Sequence, residues 1–503
     1  MNHRNELLIV LAAALVVRGA VLWGAHARLD ADRDAYRRIA VVLRATGTYG
    51  AFFREDTAEE AATPAGQPTA FRPPLYPALL SILVDGDRLS TRAVAVWHLI
   101  WGVATVGLVY EVGRRWSLGR WSVFAALATT WDPILLNQST QLMTETLAAL
   151  LSIVCLAALT GWLDRESPEV RTSGDVDLDQ DRPRNDSPNL SVHGREGRVA
   201  KFVRARSQGI RSLTLGLLVG VACLCRPTYQ PWAALLLVAL LITPASGTLR
   251  WWRAAVFLGG VAAVLLPWAA RNYVQVGKFT AATSHGGYTI LLGNNPRFYE
   301  YVRRGERGTV WPARELDDAW SHRAALRSAQ DDLFAAPNRE RVTSPDGAAQ
   351  HEETVAPRGE FADDRLAYDY ARRFIREDPS GFVRACLVRL GRFWQLVPHA
   401  TTQPEKRYVT TLRWLVGLWY LAIYALIAVA IVGSTRRIVQ WPWLGGLLLC
   451  VAFLTVHTLY WTDMRMRAPL VPYLALLAAS GGQCLAAAFF WRPRVNDGGA
   501  TGR

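Results

Sequence analysis

Three carboxylates crowd five residues just past the first apolar run. They are Asp30, Asp32 and Asp34 in Leu-Asp-Ala-Asp-Arg-Asp-Ala-Tyr, followed at once by Tyr36. The spacing of Ile39, Ala40, Val42 and Leu43 predicts a short helix here, and one aspartate at its start is an ordinary N-cap or dipole partner. Three are more than capping requires, and a carboxylate relieved of that duty can draw a proton from a hydroxyl. Arginines stand at comparable places further on: Arg72 in Phe-Arg-Pro-Pro-Leu-Tyr76-Pro, Arg226 in Cys-Arg-Pro, Arg271 with Asn272 in Trp-Ala-Ala-Arg-Asn-Tyr, and Arg465 and Arg467 in Asp-Met-Arg-Met-Arg-Ala-Pro. Snorkelling accounts for any one of them. Several arginines meeting several carboxylates point instead to a cavity that receives a phosphate beside an acid/base group. Glu145 opens an apolar run, where a carboxylate is costly against lipid and so should face the bundle or a watery cavity. Ser284-His-Gly-Gly-Tyr and Leu-Leu-Gly-Asn294-Asn-Pro supply turn formers and amides. Asp30, Asp32, Asp34 and His285 could assemble a divalent metal site, but their spacing is not diagnostic and no metal ligand is assigned.

The elements that must position these residues are membrane spans. The chain has 503 residues, 51% of them hydrophobic, and 56 Lys+Arg against 42 Asp+Glu give a net charge of +14. Apolar runs of roughly 18–22 residues, the thickness of a bilayer core, alternate with polar stretches. That pattern disfavours a soluble enzyme, a coiled coil or a disordered chain. Ten spans are expected: Leu7–Ala25, Ala93–Tyr110, Trp116–Leu136, Met143–Leu163, Leu213–Arg226, Tyr229–Thr243, Ala254–Ala270, Leu412–Val432, Trp443–Trp461 and Ala468–Phe490. Pro73–Val84 could add a re-entrant piece. The first run carries Arg18 and shows no small-residue cleavage site, so an uncleaved helix fits better than a signal peptide. Arg114, Arg115, Arg195 to Arg211, Arg250, Arg253, Arg436, Arg437, Arg492 and Arg494 then fall on one side, which the positive-inside rule makes cytoplasmic. The positive balance is thus a loop-charge signature rather than a mark of nucleic-acid binding. All the arginines singled out above fall on the opposite, outer side.

Residues 1–270 form an N-terminal membrane core, with a candidate catalytic first outer loop at 26–90 and a polar cytoplasmic loop at 164–211 that is expected to be disordered. Asp175, Asp177, Asp179 and Asp181 make the first part of that polar loop read as disordered. Residues 271–411 form a long outer loop and 412–503 the last spans. Within the long loop, Arg365–Val397 reads as a helix lying on the membrane surface, interrupted at Asp378-Pro379. No separate folded domain is expected there. Five of the six cysteines fall in apolar segments, so a disulfide scaffold is not expected.

In this order, Asp32-Arg-Asp-Ala-Tyr36-Arg-Arg-Ile-Ala, Phe71-Arg-Pro-Pro-Leu-Tyr-Pro, Thr144-Glu-Thr-Leu, Cys225-Arg-Pro-Thr, Pro267-Trp-Ala-Ala-Arg-Asn-Tyr, Leu292-Gly-Asn-Asn-Pro and Arg465-Met-Arg-Ala-Pro resemble the GT-C membrane glycosyltransferases of the protein O-mannosyltransferase type. That superfamily also contains the enzymes that place aminoarabinose on lipid A. The resemblance implies an all-α polytopic membrane fold and a sugar donor carried on a polyprenyl phosphate. It further implies transfer to a hydroxyl at the outer face of the cell (inner) membrane, with inversion. An aspartate in the first outer loop would be the general base. Asp32, four before Tyr36, is the first candidate and Asp34 the second; the Asp-Glu pair common in the family is missing. Arg72, Arg226, Arg271, Arg465 and Arg467 would hold the donor phosphate. Tyr36, Tyr76, Glu145, Asn272 and Asn294 would line the substrate site.

Two other classes compete. A transporter or flippase of lipid-linked sugars would show repeated halves and broken helices near the midplane; no repeat is evident, and the unusual charges lie at one face. A polysaccharide polymerase or ligase would use Arg and His in a large outer loop and would not need the Asp32/Asp34 cluster.

Overall fold

The structure is a computed structural model of the chain. It describes residues 2–51, 66–163, 192–243, 247–305, 311–323, 326–334, 359–400 and 405–490. The acidic part of the polar loop, Asp175 to Asp181, lies outside these.

The N-terminal half runs α1 (His3–Ala25), α2 (Tyr36–Thr46), α3 (Leu75–Ser81), α4 (Thr91–Arg115), α5 (Trp121–Thr130), α6 (Pro133–Ser139), α7 (Glu145–Leu163), α8 (Val192–Cys225), α9 (Gln230–Ile242) and α10 (Gly247–Val276). The long loop carries α11 (Gly286–Gly293), α12 (Pro296–Arg304), α13 (Arg314–Ser321), α14 (Glu360–Glu377) and α15 (Pro379–Phe393), and the chain closes with α16 (Arg407–Ile438), α17 (Trp443–Leu459) and α18 (Val471–Phe490). Among the described residues, six helical segments are long and apolar enough to cross a membrane: His3–Asp30, Thr91–Arg115, Arg206–Cys225, Gly247–Val276, Arg407–Ile438 and Met464–Phe489. The protein is therefore helical and multi-pass. The other four expected spans coincide with shorter apolar helices, Trp121–Thr130, Glu145–Thr160, Pro227–Ile242 and Trp443–Leu459.

Prolines and short polar residues start several of these helices where the sequence says they should. Asp132, Asn295 and Asp378 each precede a proline at the first helical position, and their side chains accept from Leu135, Phe298 and Gly381 N–H at 2.9, 2.9 and 2.8 Å. Close helix crossing uses small residues: α8 carries Gly216 and Gly220, and a Cβ on Gly216 would run into the Phe257 carbonyl of α10.

Three expectations change. The polar loop is not irregular to Arg211, because α8 begins at Val192. The 73–84 segment is a short helix whose Tyr76, Pro77 and Leu80 are buried, followed by a hairpin of β3 (Val84–Asp85) and β4 (Arg88–Leu89). The long loop also has an apolar core of its own, built from Leu291, Phe298, Tyr299, Trp311, Tyr370 and Phe374. The break at Asp378 falls where expected. However, Tyr370 and Phe374 of α14 face this core rather than a membrane surface, because enough aromatic area surrounds them to bury both. Val383 and Leu387 of α15 stay exposed.

Candidate active site

The site is built where α2, the Arg72 turn, the start of α7, the α8–α9 break and the turn before α18 meet. Asp32 supplies the helix start: its two carboxylate oxygens accept from the backbone N–H groups of Arg37 and Arg38 at 3.1 and 3.0 Å. Between it and the helix, Ala35 adopts a left-handed φ of 62°, a conformation that costs a non-glycine residue about 1 kcal/mol. That turn brings Asp34 back onto Arg72. The Arg72 guanidinium donates to the Asp34 carboxylate at 2.6 Å and to its carbonyl at 2.9 Å. The same guanidinium lies 4.5 Å from the Phe71 ring centre and 5.7 Å from that of Tyr36. Pro73 and Pro74 keep this segment out of a helix, and Tyr49 OH donates to the Arg72 and Pro73 carbonyls at 3.0 and 3.2 Å.

Two more acid–arginine pairs come in from distant segments. Glu145, at the first turn of α7, stands 3.3 Å from Arg226, with side chains 3% and 12% exposed. Arg226 is released from α8 because the residue before a proline prefers extended backbone; its φ is −147° and its ψ 126°. Arg465 pairs with Asp463 at 3.2 Å in the turn Met464–Leu470. Two thioethers touch the cations: Met466 Sδ lies 3.2 Å from Arg226 and Met143 Sδ 3.9 Å from Arg465. Tyr36 sits in the combined field of Arg72, Asp34, Glu145 and Arg226, and Arg465 in that of Asp463, Glu145, Asp34 and Tyr36. Three carboxylates and three guanidiniums thus alternate around one buried tyrosine. Burial pushes the Tyr36 phenol up to about 12, against the opposing pull of Arg72, so it stays a neutral donor. Beneath it, Tyr76 meets the Tyr36 ring edge-on at 5.2 Å. Its hydroxyl pairs with His98 Nε2 at 2.9 Å, and His98 Nδ1 pairs with the Ser139 carbonyl at 2.7 Å.

Two of these ion pairs are close without forming well-aligned hydrogen bonds. Arg226 Nη1 and Arg465 Nε face Glu145 and Asp463 at 3.3 and 3.2 Å yet complete no hydrogen bond, and Glu145 Oε2 is buried without one. A buried guanidinium N–H without an acceptor is costly, and an incoming phosphate oxygen would supply one.

The expected residues therefore divide. Asp34, Tyr36, Arg72, Tyr76, Glu145, Arg226 and Arg465 come together, with Asp32 at the start of the same helix. Four do not join them. Arg271 is spent on the ribbon of β1 (Gly50–Ala51) and β2 (Gln67–Pro68): it donates to the Thr69 carbonyl at 2.7 Å and to the Tyr49 carbonyl. Asn272 ties Thr280 at 2.8 Å. Asn294 donates to the Ile290 and Leu459 carbonyls at 2.8 and 3.0 Å, docking the long loop on α17. Arg467 is fully buried, donates to the Phe393 and Gln395 carbonyls at 2.9 and 2.8 Å, and lies 4.1 Å from the Tyr420 ring centre. All four satisfy backbone carbonyls that the folded loop and turns leave unpaired. As to metal, no group of three His, Cys, Asp or Glu that could hold an ion is found among the described residues. His285 packs against Phe71 at 4.6 Å instead, and burial, then Arg72, hold its imidazolium down to about 3. The sequence reading passed over His98 and Ala35. It also passed over His457, whose signal was a histidine inside an otherwise apolar run.

No family model matches the chain, and neither does any curated protein. Among solved structures, the chain is similar to the archaeal oligosaccharyltransferase AglB from Archaeoglobus fulgidus in complex with an inhibitory peptide and a dolichol-phosphate. The identity is 17% and the TM-score 0.49, over 97% of this chain and 50% of that one. It is also similar to ArnT from Cupriavidus metallidurans bound to undecaprenyl phosphate, at 14% identity and a TM-score of 0.39, over 97% of this chain and 79% of that one. The chain spans about half the length of the oligosaccharyltransferase. Both TM-scores lie below 0.5, so the functional reading below rests on this chain's own residues.

Proposed function

We propose that the protein is a membrane glycosyltransferase that moves a sugar from a polyprenyl-phosphate donor to a hydroxyl acceptor at the outer face of the membrane. The observation that carries this reading is the gathering of three acid–arginine pairs, Asp34–Arg72, Glu145–Arg226 and Asp463–Arg465, the last two held as ion pairs whose Arg226 Nη1 and Arg465 Nε complete no hydrogen bond. The acceptor hydroxyl attacks the anomeric carbon while a carboxylate takes its proton. The bond from that carbon to the phosphate oxygen breaks, and the lipid phosphate leaves with the electron pair. Attack opposite the leaving group inverts the centre.

Asp32 is the better base of the two aspartates. Asp34 is held by a guanidinium at 2.6 Å, whereas Asp32 is held by two backbone N–H groups, which leave lone pairs on both oxygens and fix its orientation. Asp34 positions Arg72. Arg226, Arg465 and Arg72 oppose the negative charge that grows on the phosphate, in a setting where fixed donors act strongly. Part of the lipid tail has a place to go in this reading: a cleft of ≈ 330 Å³ is lined by Cys223, Gln230, Ala233, Val261 and Leu265, and Cys223 and Gln230 bracket Arg226 in the chain. In this reading residues 26–90 are the catalytic loop and this end of the bundle lies outside the cytoplasm of an inner-membrane protein, a side that the Lys/Arg bias supports.

The test is consumption of a polyprenyl-phosphate monosaccharide by the purified protein in lipid, for native protein and for Arg465→Ala. Turnover that disappears in the variant supports the reading. Transbilayer movement of the donor without any sugar transfer would favour the transporter class instead.

A further inference from the structure

His457 lies in α17, two residues before its end, inside a run of Leu, Val, Ala and Thr. Its residue is 5% exposed. The ring stacks on Phe393 at 5.6 Å with 24° between planes and lies 6.0 Å from Phe453. Neither nitrogen completes a well-aligned hydrogen bond, and the one backbone group that acts on the ring as a hydrogen-bond partner is that of Trp461. Imidazole carries one N–H donor and one acceptor in either neutral tautomer, so burial without partners is expensive unless something else completes the set. Apolar packing does not need this residue: a phenylalanine would stack on Phe393 as well and would cost no desolvation. The charges that act on the ring are Arg226 and Arg465, the two arginines whose ion pairs with Glu145 and Asp463 leave Nη1 and Nε without a completed hydrogen bond. Thr228, two residues beyond Arg226, also holds its hydroxyl buried without a partner.

We propose that His457 is a phosphate-binding residue of this site, donating a ring N–H to an oxygen of the lipid phosphate held by Arg226 and Arg465. The inference rests on the glycosyltransferase reading and adds a ligand contact to it. A neutral donor suits the place. Two guanidiniums already supply the charge, and a third buried cation would repel them. One uncharged N–H adds direction to the grip without adding charge. The aromatic neighbours Phe393 and Phe453 fix the ring plane, so the donor is preorganised and loses little freedom when the phosphate arrives.

The experiment measures binding of undecaprenyl phosphate to the full chain in detergent, by ligand-dependent thermal shift, for native protein, His457→Phe, His457→Asn, His457→Gln and Arg465→Ala. Phenylalanine keeps the stack and removes the donor. Asn and Gln return an N–H near the Nδ1 and Nε2 positions. A hydrogen bond to a charged group makes the expected loss on His457→Phe about 10–100-fold in affinity, with the unliganded protein at least as stable as native and recovery of affinity in one of the two amide variants. An affinity for His457→Phe within twofold of native, with Arg465→Ala strongly weakened, overturns the role of His457 and leaves the phosphate site standing. Unchanged affinity in Arg465→Ala as well overturns the phosphate site itself. A parallel titration with inorganic phosphate separates headgroup from tail: a loss confined to the lipid would place His457 on the chain rather than the phosphate and would overturn the proposal.

Discussion

Replacing Glu145 by Gln tests the charge logic of the site. The change keeps shape and volume but removes the anion 3.3 Å from Arg226. At an effective dielectric of about 20 the attraction at that distance is roughly 5 kcal/mol, and breaking one side of a buried pair costs about 3–5 kcal/mol net. Both side chains are almost fully covered, so the buried-pair figure applies without a large discount for solvent. The Gln amide can still accept a hydrogen bond from Arg226, which places the expected loss near the lower end. The variant in detergent should therefore unfold at markedly lower temperature when empty. Adding undecaprenyl phosphate should recover more stability than it gives the native protein, because Arg226 no longer divides its attraction between two anions. A tenfold gain in phosphate affinity corresponds to about 1.4 kcal/mol and is readily measured. Equal stability of the empty proteins would refute the buried pairing. A fall in phosphate affinity with a normally folded variant would refute the placing of the phosphate on Arg226.

Three other outcomes follow from particular contacts. Ala35→Gly relieves a left-handed residue at φ 62° and should raise stability by about 0.5–1 kcal/mol, while loosening Asp34 on Arg72 and lowering turnover; a stability decrease would count against the strained turn. Gly287→Ala should destabilise by several kcal/mol, because its Cβ meets the Asp364 backbone, which the Gly287 N–H and the Asp364 carboxylate hold at 2.6 Å; limited proteolysis of the long loop is the measurement. His285 has an ordinary value of 6.5 and is held down to about 3 in the fold. The unfolded chain thus binds more protons between those values, and the stabilisation present above pH 6.5 should fall as pH drops towards 3. A His285→Phe variant should show a shallower loss over that window in a pH series of thermal melts.

Much of the architecture could be read from apolar run length. Each expected span contains an apolar helix, and Asp132, Asn295 and Asp378 announce helix starts by standing before proline. The core of the long loop was not legible, because Tyr370 and Phe374 show the same spacing whether they meet a membrane or one another. At the site, residue type marked the right kind of group but could not sort it. Arg271 and Arg467 look like Arg226 and Arg465 in sequence. Only folding shows that Arg271 gives its N–H groups to the carbonyls of Tyr49 and Thr69, and that Arg467 turns Nη1 to those of Phe393 and Gln395 while its Nε and Nη2 stay buried without a hydrogen bond. Most of the pairings also join distant segments, from 38 residues apart for Arg72 with Asp34 to 322 for Arg465 with Met143, and no local pattern encodes those. Asp32 kept both of its readings: it caps α2 and remains open on its other lone pairs.

The most direct measurement is the turnover of a polyprenyl-phosphate monosaccharide by purified Asp32→Asn protein, beside its affinity for undecaprenyl phosphate. The Asn amide oxygen still accepts one of the two N–H bonds, from Arg37 or Arg38, so helix α2 should persist and phosphate binding should stay close to native. Loss of the base should slow sugar transfer by about 100- to 10,000-fold. Native turnover in this variant, with phosphate binding intact, would contradict proton removal by Asp32.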